Sequence, residues 1–109
     1  MEGLDMAQMR SSVFLTNPSD EVQTDRLENE ILTVSTANST YEIKVLVGST
    51  GEVQVVGGRH FPQTTRATLL GASVGSLLKV RAICVGLCVE FLHQGRRVVT
   101  SPVVCIAID

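Results

Sequence analysis

The stretch ILTVSTANSTYEIKVLVGSTGEVQVV, Ile31 to Val56, decides the fold class. Tyr41, Ile43, Val45 and Val47 alternate with Glu42 and Lys44, the period-two pattern of a strand with one face on a core and the other in water. Asn38-Ser39 separates this run from ILTVSTA, so the two runs form a hairpin. The Gly48 to Gly51 turn, GSTG, then returns the chain into EVQVV, whose Val53 and Val55 continue the inward face. Three antiparallel strands in a meander are the result.

Downstream, GGRHFPQTTRATLLGASVGS (57–76) is rich in Gly, Ser and Thr. It is expected to cross the end of a sheet in partly irregular form, with a short strand at Thr68 to Leu70. LLKVRAICV and LCVEFLH are two strands about Gly86, or one strand bent there. The Gln94-Gly95 turn leads into RRVVTSPVVCIAI, interrupted by Pro102, which cannot donate to a ladder and so marks a bulge, corner or edge. These strands, with glycines at their bends, predict an all-β domain. Its expected form is a small antiparallel barrel of about five to seven strands, because closure removes exposed edges. A two-sheet β-sandwich is the alternative.

Upstream of the meander the sequence is irregular. Residues 1–24 are expected to form a flexible acidic leader and residues 25–109 the barrel, with a short helix possible over Ser19 to Asn29, capped by Ser19. A chain of 109 residues holds one core of modest size. No apolar run approaches the roughly 18 residues of a membrane span, and MEGLDMAQMR lacks the basic start and apolar centre of a secretory signal. The expectation is therefore a cytoplasmic protein without membrane contact. Three cysteines fit reduced thiols better than a disulfide framework. The N-S-T of Asn38 to Thr40 is more economically a turn than a glycosylation acceptor.

The segments T-A-N-S-T-Y-E-I (Thr36 to Ile43), G-G-R-H-F (Gly57 to Phe61), G-A-S-V-G-S (Gly71 to Ser76) and T-S-P-V-V-C-I (Thr100 to Ile106) together resemble a group of short, uncharacterised bacterial β-rich proteins. The resemblance covers about two-thirds of the chain. It implies a compact β domain and supplies no function.

No motif in the chain carries chemistry outright. G-A-S-V-G-S lacks the glycine spacing, the lysine and the following hydroxyl residue of a phosphate-binding P-loop. Cys84 and Cys88, with His93 and Cys105 beyond, contain zinc-ligand chemistry, but on an extended strand the first two sulfurs lie about four rises of roughly 3.3 Å apart. Structural thiols are the simpler assignment, and no metal or cofactor is expected. His60 and His93 are the only histidines, and neither accompanies a nucleophile motif, so no catalytic residue is assigned and the balance leans away from an enzyme. Glu90, on a strand of Leu87, Cys88, Val89, Phe91 and Leu92, should point outward.

The net charge of −2 hides a split. Residues 1–30 carry Glu2, Asp5, Asp20, Glu21, Asp25, Glu28 and Glu30 against Arg10 and Arg26, and the remainder is basic. Arg59, His60, Arg66, Lys79, Arg81, Arg96 and Arg97 are the candidate ligand-binding residues, an Arg-rich rim able to meet phosphate or carboxylate. Nucleic acid is possible but not favoured, since single-strand binders present stacking aromatics and this chain offers Phe14, Tyr41, Phe61 and Phe91 with no Trp.

V-V-C-I-A-I is apolar at both parities. Its second face is expected to be buried by another subunit, with Val103, Val104, Cys105, Ile106 and Ile108 as the interface. Three functions follow in order: a non-enzymatic binding or assembly module for a partner protein or small ligand, homo-oligomeric; a nucleic-acid or anion-binding barrel; and a small thiol-dependent enzyme using Cys84 or Cys88.

Overall fold

The computed structural model describes residues 13–109. Eleven strands account for most of them: β1 (Val13–Leu15), β2 (Glu21–Gln23), β3 (Ile31–Thr36), β4 (Thr40–Val47), β5 (Glu52–Gly57), β6 (Phe61–Val74), β7 (Leu77–Val80), β8 (Ala82–Cys84), β9 (Cys88–His93), β10 (Arg96–Val99) and β11 (Val103–Ile108). One turn of 3-10 helix spans Thr24–Arg26. The chain is all-β, and every strand pairing is antiparallel.

The main sheet runs β1-β11-β3-β4-β5-β6-β9-β10, with β7 also on β6, while β2 and β8 form a separate ribbon. The expected barrel does not close. β1 and β10 end the path without pairing to each other, and the contact across the gap between β11 and the β8–β9 bend is an isolated parallel bridge, Val85 to Val103. The sandwich-like alternative fits instead, and β6 is the reason. Its first part pairs with β5 (Thr68 opposite Glu52), whereas Thr68 to Ser73 pair with β9 and Gly71 to Val74 pair with β7. One 14-residue strand thus serves both halves of the fold. Between the halves lie Phe61 and Phe91, edge to face at 5.2 Å, with Tyr41 6.5 Å from Phe91. Around them pack Leu32, Val34, Ile43, Val45, Val53, Val55, Leu69, Ile83, Val89 and Ile106, of which Ile43, Val45, Val53 and Val55 are inward residues that the alternation marks.

The crossover is where the structure departs most from expectation. Residues 61–74 are continuous strand rather than partly irregular chain. Pro62 is accommodated because the ladder with β5 shifts register between Val55 and Gly57, so the missing N–H falls in a bulge. Gly71, at φ +152°, lets β7 approach so closely that a Cβ would collide with the Lys79 carbonyl oxygen.

The N-terminal region differs too. Residues 1–12, within the expected leader, lie outside the described residues, but Val13 to Leu15 pair with Ile108 to Ile106 of β11, and Glu21 to Gln23 pair with Cys84 to Ala82 of β8. The helix expected from Ser19 to Asn29 reduces to the single 3-10 turn. Ser19 sits at φ +79°, away from a cap conformation, and the Thr24 N–H donates to the Arg81 carbonyl at 2.9 Å, a tie that favours strand pairing over helix. The Thr24 hydroxyl donates to the Gly48 carbonyl at 2.9 Å and anchors this segment on the β4–β5 turn.

Candidate functional site

The cations expected to share one rim are dispersed. Arg66 pairs with Glu52 at 2.8 Å, Lys79 with Glu21 at 2.6 Å and Arg97 with Glu90 at 2.5 Å. Arg96 lies on β10 opposite His93, and Arg81, at φ +57°, forms the kink between β7 and β8. Only Arg59 and His60 come together in one cleft, at the end of the molecule where the β5–β6 turn meets the β3–β4 turn and the corner before β11.

That cleft, of about 530 Å³, is lined by Asn38, Ser39, Tyr41, Gly58, Arg59, His60, Val99, Thr100 and Ser101. Among the described residues no carboxylate lines it. The β3–β4 turn is held rigid by Thr36, whose hydroxyl accepts from the Asn38 and Ser39 amides and donates to the Ser39 carbonyl. The Asn38 side-chain amide donates to Ser101 Oγ at 2.6 Å, joining two segments distant in sequence. Thr100 is consumed structurally, since its hydroxyl accepts from the Val89 amide and donates to the Ser101 carbonyl. Tyr41 is buried in the core, yet its hydroxyl reaches the cleft beside Gly58. Three of the four segments that carry the resemblance, at residues 36–43, 57–61 and 100–106, supply all of this lining except Val99. Asn38, Ser39, Tyr41 and Ser101 are not among the ligand residues expected from sequence. The signal available for them was turn chemistry on both sides of a strand, which reads equally well as structure.

A second surface lies on the other half. Residues directly opposite in a ladder share a face, which puts Leu78 and Val80 of β7, Glu90 and Leu92 of β9, and Arg97 and Val99 of β10 on one side, away from Phe91 and Val89. Leu78, Val80, Leu92 and Val99 are exposed there, surrounding the Glu90–Arg97 pair. Glu90 does point away from the core, but it is covered. On the reverse side of the β6–β7 hairpin, Val74 and Leu77 are exposed at 54% and 70%. All four residues of β7 are exposed, and among the described residues β7 pairs on one edge alone.

The interface expected on β11 has a different setting. β11 lies between β1 and β3, with Val103 and Ile106 in the core of this same chain, Cys105 and Ile108 half-buried, and Val104 exposed. The two-sided apolar character of V-V-C-I-A-I is largely absorbed within the chain.

The thiols are all free, with Cys84 buried and Cys88 and Cys105 partly so. Burial pushes the Cys84 thiol up, and the neighbouring Glu21 carboxylate adds to this. Glu21 is itself held below the usual carboxylate range by its hydrogen bonds from Lys79 and Gln23. Among the described residues no group of three His, Cys, Asp or Glu side chains is placed to share a metal ion, and no helix is long and apolar enough to cross a membrane. Comparison of the chain with protein-family models, with curated proteins and with solved structures finds no match.

Proposed function

We propose that the protein is a non-enzymatic binding and assembly module that associates with a second copy of itself through the β6–β7 hairpin. The observation that carries this is β7: Leu77-Leu78-Lys79-Val80 is an edge strand with every residue exposed, three of them aliphatic. Soluble proteins guard such edges with charge, and the one lysine here is drawn aside onto Glu21. Its sequence suits pairing with itself. In an antiparallel two-fold pair centred on Leu78, Leu77 of each copy lies opposite Lys79 of the other, so no like charges meet. The adjoining aliphatic face of β9 and β10 extends the contact beyond the strand itself.

Sedimentation equilibrium at micromolar concentration tests this with Leu77→Lys combined with Val80→Lys. Both side chains are exposed, so folding should be unaffected. The unsubstituted chain is expected to be dimeric and the variant monomeric. A monomeric unsubstituted chain, or a variant that remains dimeric, refutes the proposal.

A further inference from the structure

We propose that the cleft between the β3–β4 turn, the β5–β6 turn and the Thr100-Ser101 corner is a binding site for a phosphate group. This goes beyond assembly through β7 and uses different residues.

Charge is the first ground. Arg59 is exposed at the mouth, makes no ion pair among the described residues, and has His60 beside it with no acidic side chain in the lining. The contrast with the other cations matters, because Arg66, Lys79 and Arg97 are each already neutralised by a glutamate. An arginine fork left free among neutral donors suits an oxyanion.

The donor set is the second. Ser101 Oγ accepts from Asn38, so its own hydrogen is free to be donated elsewhere. Tyr41 is 4% exposed, its ring is sealed in the core, and its hydroxyl, open to solvent at the cleft, makes no hydrogen bond to another described residue. That hydroxyl is directed at the cleft, where a ligand oxygen can accept from it.

The third is Gly58. It stands at φ +62°, and a Cβ there would sit 2.7 Å from the Tyr41 hydroxyl oxygen. Any side chain would press on the Tyr41 hydroxyl, so glycine both permits the turn and keeps that hydroxyl accessible. Guanidinium, imidazole, serine hydroxyl and phenol line one space into which each can donate. A phosphate, with several acceptor oxygens and negative charge, is the chemical class that uses all of them. The opening leaves room for the rest of a phosphate ester outside.

The test is titration of the intact protein with inorganic phosphate and, separately, with adenosine 5′-monophosphate, followed by amide chemical shifts at constant ionic strength. Saturable shifts at Asn38, Ser39, Gly58, Arg59, His60 and Ser101 are expected. Arg59→Ala should weaken binding about tenfold or more, and Tyr41→Phe should weaken it while leaving the fold intact. Arg96→Ala, an exposed cation on β10 outside the cleft, should leave binding unchanged. Tighter binding of the nucleotide identifies an ester as the ligand, and equal binding identifies the free ion. Failure of both probes to saturate, or an equal loss in the Arg96 variant, overturns the proposal. Neither result bears on the β7 dimer.

Discussion

If the two halves of the fold stack through Phe61 and Phe91, their rings must be energetically coupled, and a double-mutant cycle measures that directly. Both rings are essentially inaccessible to solvent and meet edge to face at 5.2 Å. Replacement by alanine would cost about 3–5 kcal/mol at either site, a large part of the roughly 5–15 kcal/mol that holds a small domain together. Leucine is the better probe. It keeps most of the apolar volume, so each single change should cost about 1.5 kcal/mol. Once one ring is gone the other loses its aromatic partner, so the double variant should be less destabilised than the sum by about 0.5–1.5 kcal/mol. Urea unfolding followed by circular dichroism gives all four free energies. Additivity within about 0.3 kcal/mol would mean that the rings do not meet, and would refute stacking of the β9–β10 half on the β3–β4–β5 half.

Two further outcomes follow from the Glu21–Lys79–Cys84 cluster. Because Lys79 depresses the Glu21 carboxyl, the tie stabilises the fold above the ordinary carboxylate value of 4.5 and is lost as pH falls through the lower folded-state value; amide-exchange protection at Val22 should drop in that acid range, and Glu21→Gln should remove the pH step. Because burial raises the Cys84 thiol, a disulfide reagent near neutral pH should modify Cys88 and Cys105 first and Cys84 only on unfolding; rapid native labelling of Cys84 would contradict its placement.

The strands from Ile31 to Gly57 were legible because alternation and turn residues agree there. β6 was not, since Pro62 and Gly71 are normally punctuation, and only the register shift opposite Pro62 shows how a strand continues through it. Barrel and sandwich share one local pattern, differing in whether distant edges pair, which no short window of sequence reports. The cation group misled for the same reason. Arg66, Lys79 and Arg97 meet Glu52, Glu21 and Glu90 through pairings and contacts between strands, two of them separated by many residues. At the cleft, Arg59 and His60 were visible as charges, whereas Tyr41 reads as an ordinary inward residue of an alternating strand. Its accessible hydroxyl appears only once Gly58 is placed beside it.

A strand common to both halves also constrains how the chain reaches its native state. β6 must be in register with β5 and then β7 along one edge and with β9 along the other, so neither half has a complete sheet of its own to fold around. Unfolding should therefore be a single cooperative event, without a stable half-molecule. The pairing of β11 with β3 adds contacts far apart in sequence, which places folding toward the slow, millisecond-to-second end of small-domain rates.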